Sequence, residues 1–122
     1  MSLHGGITIF TADLRAARTF YGEQLAMRLE PDEDGFWASR DGVVLRVEGG
    51  ARPRTRGRGF FEEAGVMVRL ETDEFDAFLG EVVGRGVKLF GGVKDSEEGR
   101  FAGFVDPDGN LFELVETVTA RA

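Results

Sequence analysis

The sequence predicts an α+β fold built from two βαβββ units. Three observations carry this. A β-branched, aromatic stretch, a stretch of helical period and three further strand-like stretches follow one another twice along the chain. An Asp-Gly turn signal falls at matching places in the two copies, Asp41-Gly42 and Asp108-Gly109. The 122 residues are 42% hydrophobic and 30% charged, which suits one globular domain and rules out wholesale disorder. The expected organisation is a single domain over 1–122. Its first unit covers about 4–48, a linker about 49–64 and the second unit about 65–118.

Each element has its own signal. Gly6 to Thr11 is rich in β-formers and reads as a strand. Asp13 is a good N-cap, and Leu14, Ala17, Phe20 or Tyr21, and Leu25 then recur at helical spacing over about 14–25. Met27 to Glu30 is a strand ended by Pro31 and Gly35. Phe36–Ser39 and Val43–Val47 form a hairpin about Asp41-Gly42. The Gly-rich, Arg-rich stretch 49–64 is expected to connect the units. Val66–Leu70 opens the second copy as a strand. Asp73 is expected to cap a helix with Phe75, Phe78 or Leu79, and Val82 or Val83 on one face, stopped by Gly84 and Gly86. Val87–Phe90 reads as a short strand and Gly91–Gly99 as a polar loop. Phe101–Val105 and Asn110–Val118 pair about Asp106-Pro107-Asp108-Gly109, where Pro presets φ and Gly tolerates φ > 0.

Composition excludes several chemistries. With no cysteine there is no disulfide, thiolate zinc site or cysteine nucleophile. One histidine excludes two imidazoles from one chain. The net charge of −7 repels phosphate backbones, so no nucleic acid is expected as partner. No apolar run approaches a membrane span and no signal peptide is visible, so a cytoplasmic place and no membrane partner are expected. Ser39 and Ser96 lack a general base in the pattern. Gly49-Gly50 and Gly91-Gly92 open no helix and read as turns, not phosphate loops.

Two segments resemble the vicinal oxygen chelate superfamily, the group of glyoxalase I, extradiol dioxygenases and fosfomycin- and bleomycin-resistance proteins. They are Asp13-Leu14 through Phe20-Tyr21 to Leu25, and Asp106-Pro107-Asp108-Gly109-Asn110 with Glu113 four positions after the Gly. The resemblance implies that the two units form paired partial barrels around a cavity, often in a homodimer, which is the expectation here too. Catalytic relatives hold a divalent metal with one His, Glu or Gln from each of four strands. Carried over, those positions are Gly6, Arg46, Met67 (with Val66 beside it) and Glu113. Only Glu113 can ligate, and Arg46 is a cation.

The resulting expectation is a small-molecule binder with no metal and no cofactor. Glu113, Arg46, Met67, Trp37 and Phe104 are its candidate ligand contacts: Arg46 and Glu113 occupy equivalent repeat positions and could fork together, and Trp37 and Phe104 could stack on a flat ligand. Glu113 can equally be a vestigial, structural carboxylate. The alternative is a divalent-metal-dependent lyase, isomerase or dioxygenase, which would need other donors such as His4, Glu71 or Glu116. A ligand-free regulatory or interaction module is a third reading. Arg52, Arg54, Arg56 and Arg58 read as a solvated linker or as a grip on an anion, and His4 as a surface residue or, after a register slip, a cavity residue.

Overall fold

In the computed structural model, residues 7–50, 67–97 and 99–117 are described. The expectations for His4, Gly6, Arg52, Arg54, Arg56, Arg58 and Val66 lie outside them. The chain divides into two units, Met1–Thr55 and Arg56–Ala122. No helix among the described residues is long and apolar enough to cross a membrane.

The first unit runs β1 (Thr8–Thr11), α1 (Leu14–Arg18) continuing as a π-helical turn (Thr19–Gln24), β2 (Arg28–Pro31), β3 (Gly35–Arg40) and β4 (Val43–Gly49). Its sheet has the order β1-β4-β3-β2, with β1 parallel to β4 and the other pairs antiparallel. The Asp13 carboxylate caps α1, accepting from the backbone N–H of Arg15 at 3.0 Å and of Ala16 at 3.1 Å. The helix then widens: the Leu25 N–H donates to the Phe20 carbonyl five residues back at 2.9 Å. Both Phe20 and Tyr21, adjacent in this wider turn, are buried in the core. They meet edge to face at 4.9 Å, and Tyr21 in turn meets Phe36 of β3 at 6.3 Å.

The second unit repeats the order with β5 (Met67–Thr72), α2 (Phe75–Gly84), β6 (Leu89–Ser96), β7 (Gly99–Val105) and β8 (Leu111–Glu116). Its sheet, β5-β8-β7-β6, has the same parallel and antiparallel scheme. Both four-stranded mixed sheets therefore match the α+β expectation. Two details differ from it. Asp73 does not cap α2; the cap position is Glu74, and its N–H donates to the Thr72 hydroxyl at 3.0 Å. Thr72 ends β5, so this bond ties the start of α2 to the sheet, and among the described residues no side chain caps the first turn of the helix. The stretch read as a loop over Gly91–Gly99 is mostly strand β6. Its glycines form a bulge between Phe90, opposite Gly103, and Lys94, opposite Phe101. Gly91 and Gly92 take φ of +65° and +79°, which glycine adopts without strain, so the chain leaves the ladder and rejoins it.

The turn before β8 is built by Asp106, which is 3% exposed. Its carboxylate accepts from the Asp108 and Asn110 backbone N–H groups at 2.9 and 2.8 Å and from Asn110 Nδ2 at 2.8 Å. Gly109 closes the turn at φ +88°, with its N–H donating to the Asp106 carbonyl. At the far end of β7, Arg100 ties α2 to the sheet. It donates to both Asp76 oxygens at 2.9 and 3.1 Å and to Glu116 at 3.0 Å, and lies 4.8 Å over the Phe75 ring. Side chains alternate along these strands. Val68, Ala102, Phe104, Phe112 and Leu114 are buried on the face that α2 covers with Phe75 and Val82.

Candidate functional site

The other face of each sheet is where polar and exposed apolar residues gather. The registers show that the two faces correspond position by position. In the first unit, Arg46 lies between Thr8 of β1 and Trp37 of β3. In the second, Glu113 lies between Arg69 of β5 and Gly103 of β7. Arg46 and Glu113 are thus equivalent, as the turn alignment predicts, and so are Trp37 and Gly103.

The first face is filled by its own side chains. Arg46 Nε donates to Asp32 at 2.9 Å, and its NH1 nitrogen pairs with Glu48 at 2.9 Å. The same guanidinium lies 5.7 Å from the Trp37 ring centroid, and Trp37 is 42% exposed. The Glu33 backbone N–H at 2.7 Å, and after it Arg46, hold the Asp32 carboxyl below its usual range. Arg46 therefore has two carboxylate partners within its own unit, Asp32 just past β2 and Glu48 on its own strand.

The second face carries a hollow of about 290 Å³. Its walls are Met67, Phe90, Phe101 and Leu111, with Gly103 and Gly92 as bare backbone and Glu113 and Lys94 as its charged groups. Glu113 is half-buried, and its strand neighbour Arg69 pairs instead with Glu71 at 3.0 Å. The Lys94 ammonium reaches back over the bulge, 3.5 Å from where a Gly91 Cβ would stand. Such a surface offers apolar contact to a flat molecule and one acceptor for a donor or cationic group on it.

The sequence-derived candidates divide accordingly. Glu113 and Met67 line the hollow; Trp37 and Arg46 stack on each other on the first unit's face. Phe104 belongs to neither. It is 0% exposed and stacks on Phe112 at 5.3 Å and 10° on the α2 side of the sheet, so it is a core ring and its place as a ligand-stacking candidate is corrected. Phe101, one step out of phase, faces the hollow instead. Counting back across the hairpin from Glu113 reaches Gly103 and then Phe101, a signal present in the sequence. A loop reading of the bulge hides Lys94, and the strand reading of Val87–Phe90 leaves the face of Phe90 open.

Among the described residues, only Glu113 offers a donor at a position where catalytic relatives hold a divalent metal. Of the positions that hold one in catalytic relatives, Arg46 is an internally paired cation and Met67 a thioether. Among the described residues, no three His, Cys, Asp or Glu side chains gather so as to hold a metal ion.

Comparison with known proteins places this geometry. The chain belongs to the Glyoxalase/Bleomycin resistance protein/Dioxygenase superfamily, whose family model matches residues 5–114. Among curated proteins, none matches the chain by sequence. It is similar to the crystal structure of TnmS3, an antibiotic binding protein from Streptomyces sp. CB03234, with 25% identity and a TM-score of 0.67 over 97% of this chain and 99% of that one. A glyoxalase/bleomycin resistance protein from the same Streptomyces is 27% identical, with a TM-score of 0.63 over 89% and 96% of the two chains. A glyoxalase/bleomycin resistance protein/dioxygenase from Nocardioides shares the fold at 21% identity, with a TM-score of 0.73 over 99% and 88%.

Proposed function

We propose that this protein binds a small, flat organic compound and does not transform it, and that the hollow on the second sheet is the binding site. The observation that supports this best is the hollow itself. Phe90, Phe101, Leu111 and Met67 offer apolar walls, and Glu113 offers one acceptor. The volume of about 290 Å³ is roughly twice that of a cavity that holds benzene, about 150 Å³. A compound with a two-ring core fits such a space. Binding of that kind draws on apolar burial and stacking, for which neither a metal nor a nucleophile is needed. The antibiotic-binding neighbour makes a planar antibiotic the natural class to try first. The stacked Trp37–Arg46 pair offers planar ligands a contact on its own sheet. We also propose a homodimer acting in the cytoplasm, for which light scattering in solution should give twice the chain mass of 13.4 kDa.

The test is calorimetric titration of chelator-treated protein with a panel of planar aromatic antibiotics, followed by mass spectrometry of the recovered compound. Saturable binding with the compound recovered intact is the expected result. Binding or conversion that appears only when a divalent metal is restored would overturn the proposal in favour of a metal-dependent enzyme.

A further inference from the structure

Gly103 stands in the middle of β7, paired on one side with Phe90 and on the other with Glu113. Glycine is a poor residue for such a place, since it loses the most backbone freedom and packs nothing. Two of the usual reasons for it do not apply, and the bulge beside it lies in the partner strand β6. Its φ is not in the left-handed region. A Cβ built there meets only the Phe112 carbonyl oxygen at 3.7 Å and Phe90 Cδ2 at 3.8 Å, both ordinary contacts. Gly35 in the sister unit is the opposite case, because a Cβ there runs into the Val47 carbonyl.

What lies in front of Gly103 is the hollow. The equivalent position of the first sheet holds Trp37, stacked on Arg46. One topology thus carries its largest side chain at this register position in one copy and none in the other. The copy with none has the hollow. A cross-strand aromatic can cover a strand glycine simply for packing. Phe90 does so only in part: it is 40% exposed, and the space beside it stays open.

We infer that Gly103 is a specificity-determining residue of the binding site proposed above: its bare backbone is the floor on which a flat ligand lies between Phe90 and Phe101. The inference rests on that binding reading and adds to it the residue that sets how thick a ligand the site admits. A ring lying on the floor replaces the side chain that Trp37 supplies in the sister unit. A side chain at 103 takes the ligand's place, in small part for a methyl group and wholly for a larger one, while the strand itself gains from losing a glycine.

The test uses prodan, a neutral, polarity-sensitive naphthalene dye, with the full chain and its Gly103→Ala and Gly103→Leu variants. Dye fluorescence reads binding and thermal melting reads the fold. The native chain should bind prodan, Gly103→Ala should bind it more weakly, and Gly103→Leu should raise its Kd about tenfold or more. The alanine variant should melt at the native temperature or above it, and it keeps the test decisive if the leucine variant unfolds. Native-like dye binding by Gly103→Leu or by Gly103→Ala would overturn the inference and leave the binding reading standing. A native chain that takes up no prodan would overturn both, because the floor would then not admit a flat two-ring compound.

Discussion

Phe104 and Phe101 are three residues apart on one strand, yet the structure gives them opposite duties, and exchanging each for alanine should separate stability from binding. Phe104 is fully buried against Phe112. Truncating such a ring removes its apolar burial, its stacking and the packing around it, at a cost of about 3–5 kcal/mol. With about 2.1 cal/mol/K of unfolding entropy per residue, a chain of 122 residues has an unfolding entropy of about 0.26 kcal/mol/K. The expected fall in Tm for Phe104→Ala is therefore about 12–20 °C. Phe101 is only half-buried and borders the hollow. Phe101→Ala should cost about 1 kcal/mol, or about 4 °C, while weakening ligand binding about tenfold. Calorimetric melting and ligand titration of both variants check this. A Phe104→Ala protein that melts near the native temperature but has lost ligand binding would refute the assignment of faces, and with it the site.

Other consequences follow from the ion pairs and the glycines. Arg100, through its hydrogen bonds to the Glu116 carboxylate, lowers the folded pKa of Glu116 from its ordinary 4.5. A depressed carboxylate contributes stability above its unfolded pKa and loses it as pH falls through the lower folded value. Melting temperature should therefore drop as pH falls below about 4.5, and more steeply in the native chain than in Arg100→Gln; parallel pH profiles would contradict this. Gly35→Ala, whose Cβ collides with the Val47 carbonyl, should destabilise by about 1–3 kcal/mol. Gly80→Ala, on α2 with nothing near its Cβ, should stabilise by about 0.5–1 kcal/mol, and chemical denaturation reads both.

Much of this architecture is legible in the residues because local signals agree with the tertiary pattern. Asp13 caps the first helix as its position suggests. The Asp41-Gly42 and Asp106–Gly109 turns set two hairpin registers, and those registers put Arg46 and Glu113 in equivalent places. What escaped the sequence reading depends on tertiary detail. The π turn that carries the buried Phe20 and Tyr21 has no simple pattern in the sequence. The glycine pair of β6 looks like loop punctuation, although it is a bulge inside a strand. Aromatic content alone puts Phe104 on the ligand side, because it does not tell the two faces of a strand apart. Counting across the hairpin does. The hollow is illegible for a further reason: it is defined by a missing side chain, Gly103, among residues that four different strands supply.

The central claim is that ligand is bound on the open face of the second sheet. Amide chemical-shift mapping tests it most directly, with isotopically labelled, chelator-treated protein titrated with whichever planar compound binds in calorimetry. The largest shifts should fall on Met67, Phe90, Phe101, Gly103 and Glu113, with the solvent-facing amides of α2 unmoved. Shifts concentrated on α2, or appearing only after a divalent metal is added, would contradict it.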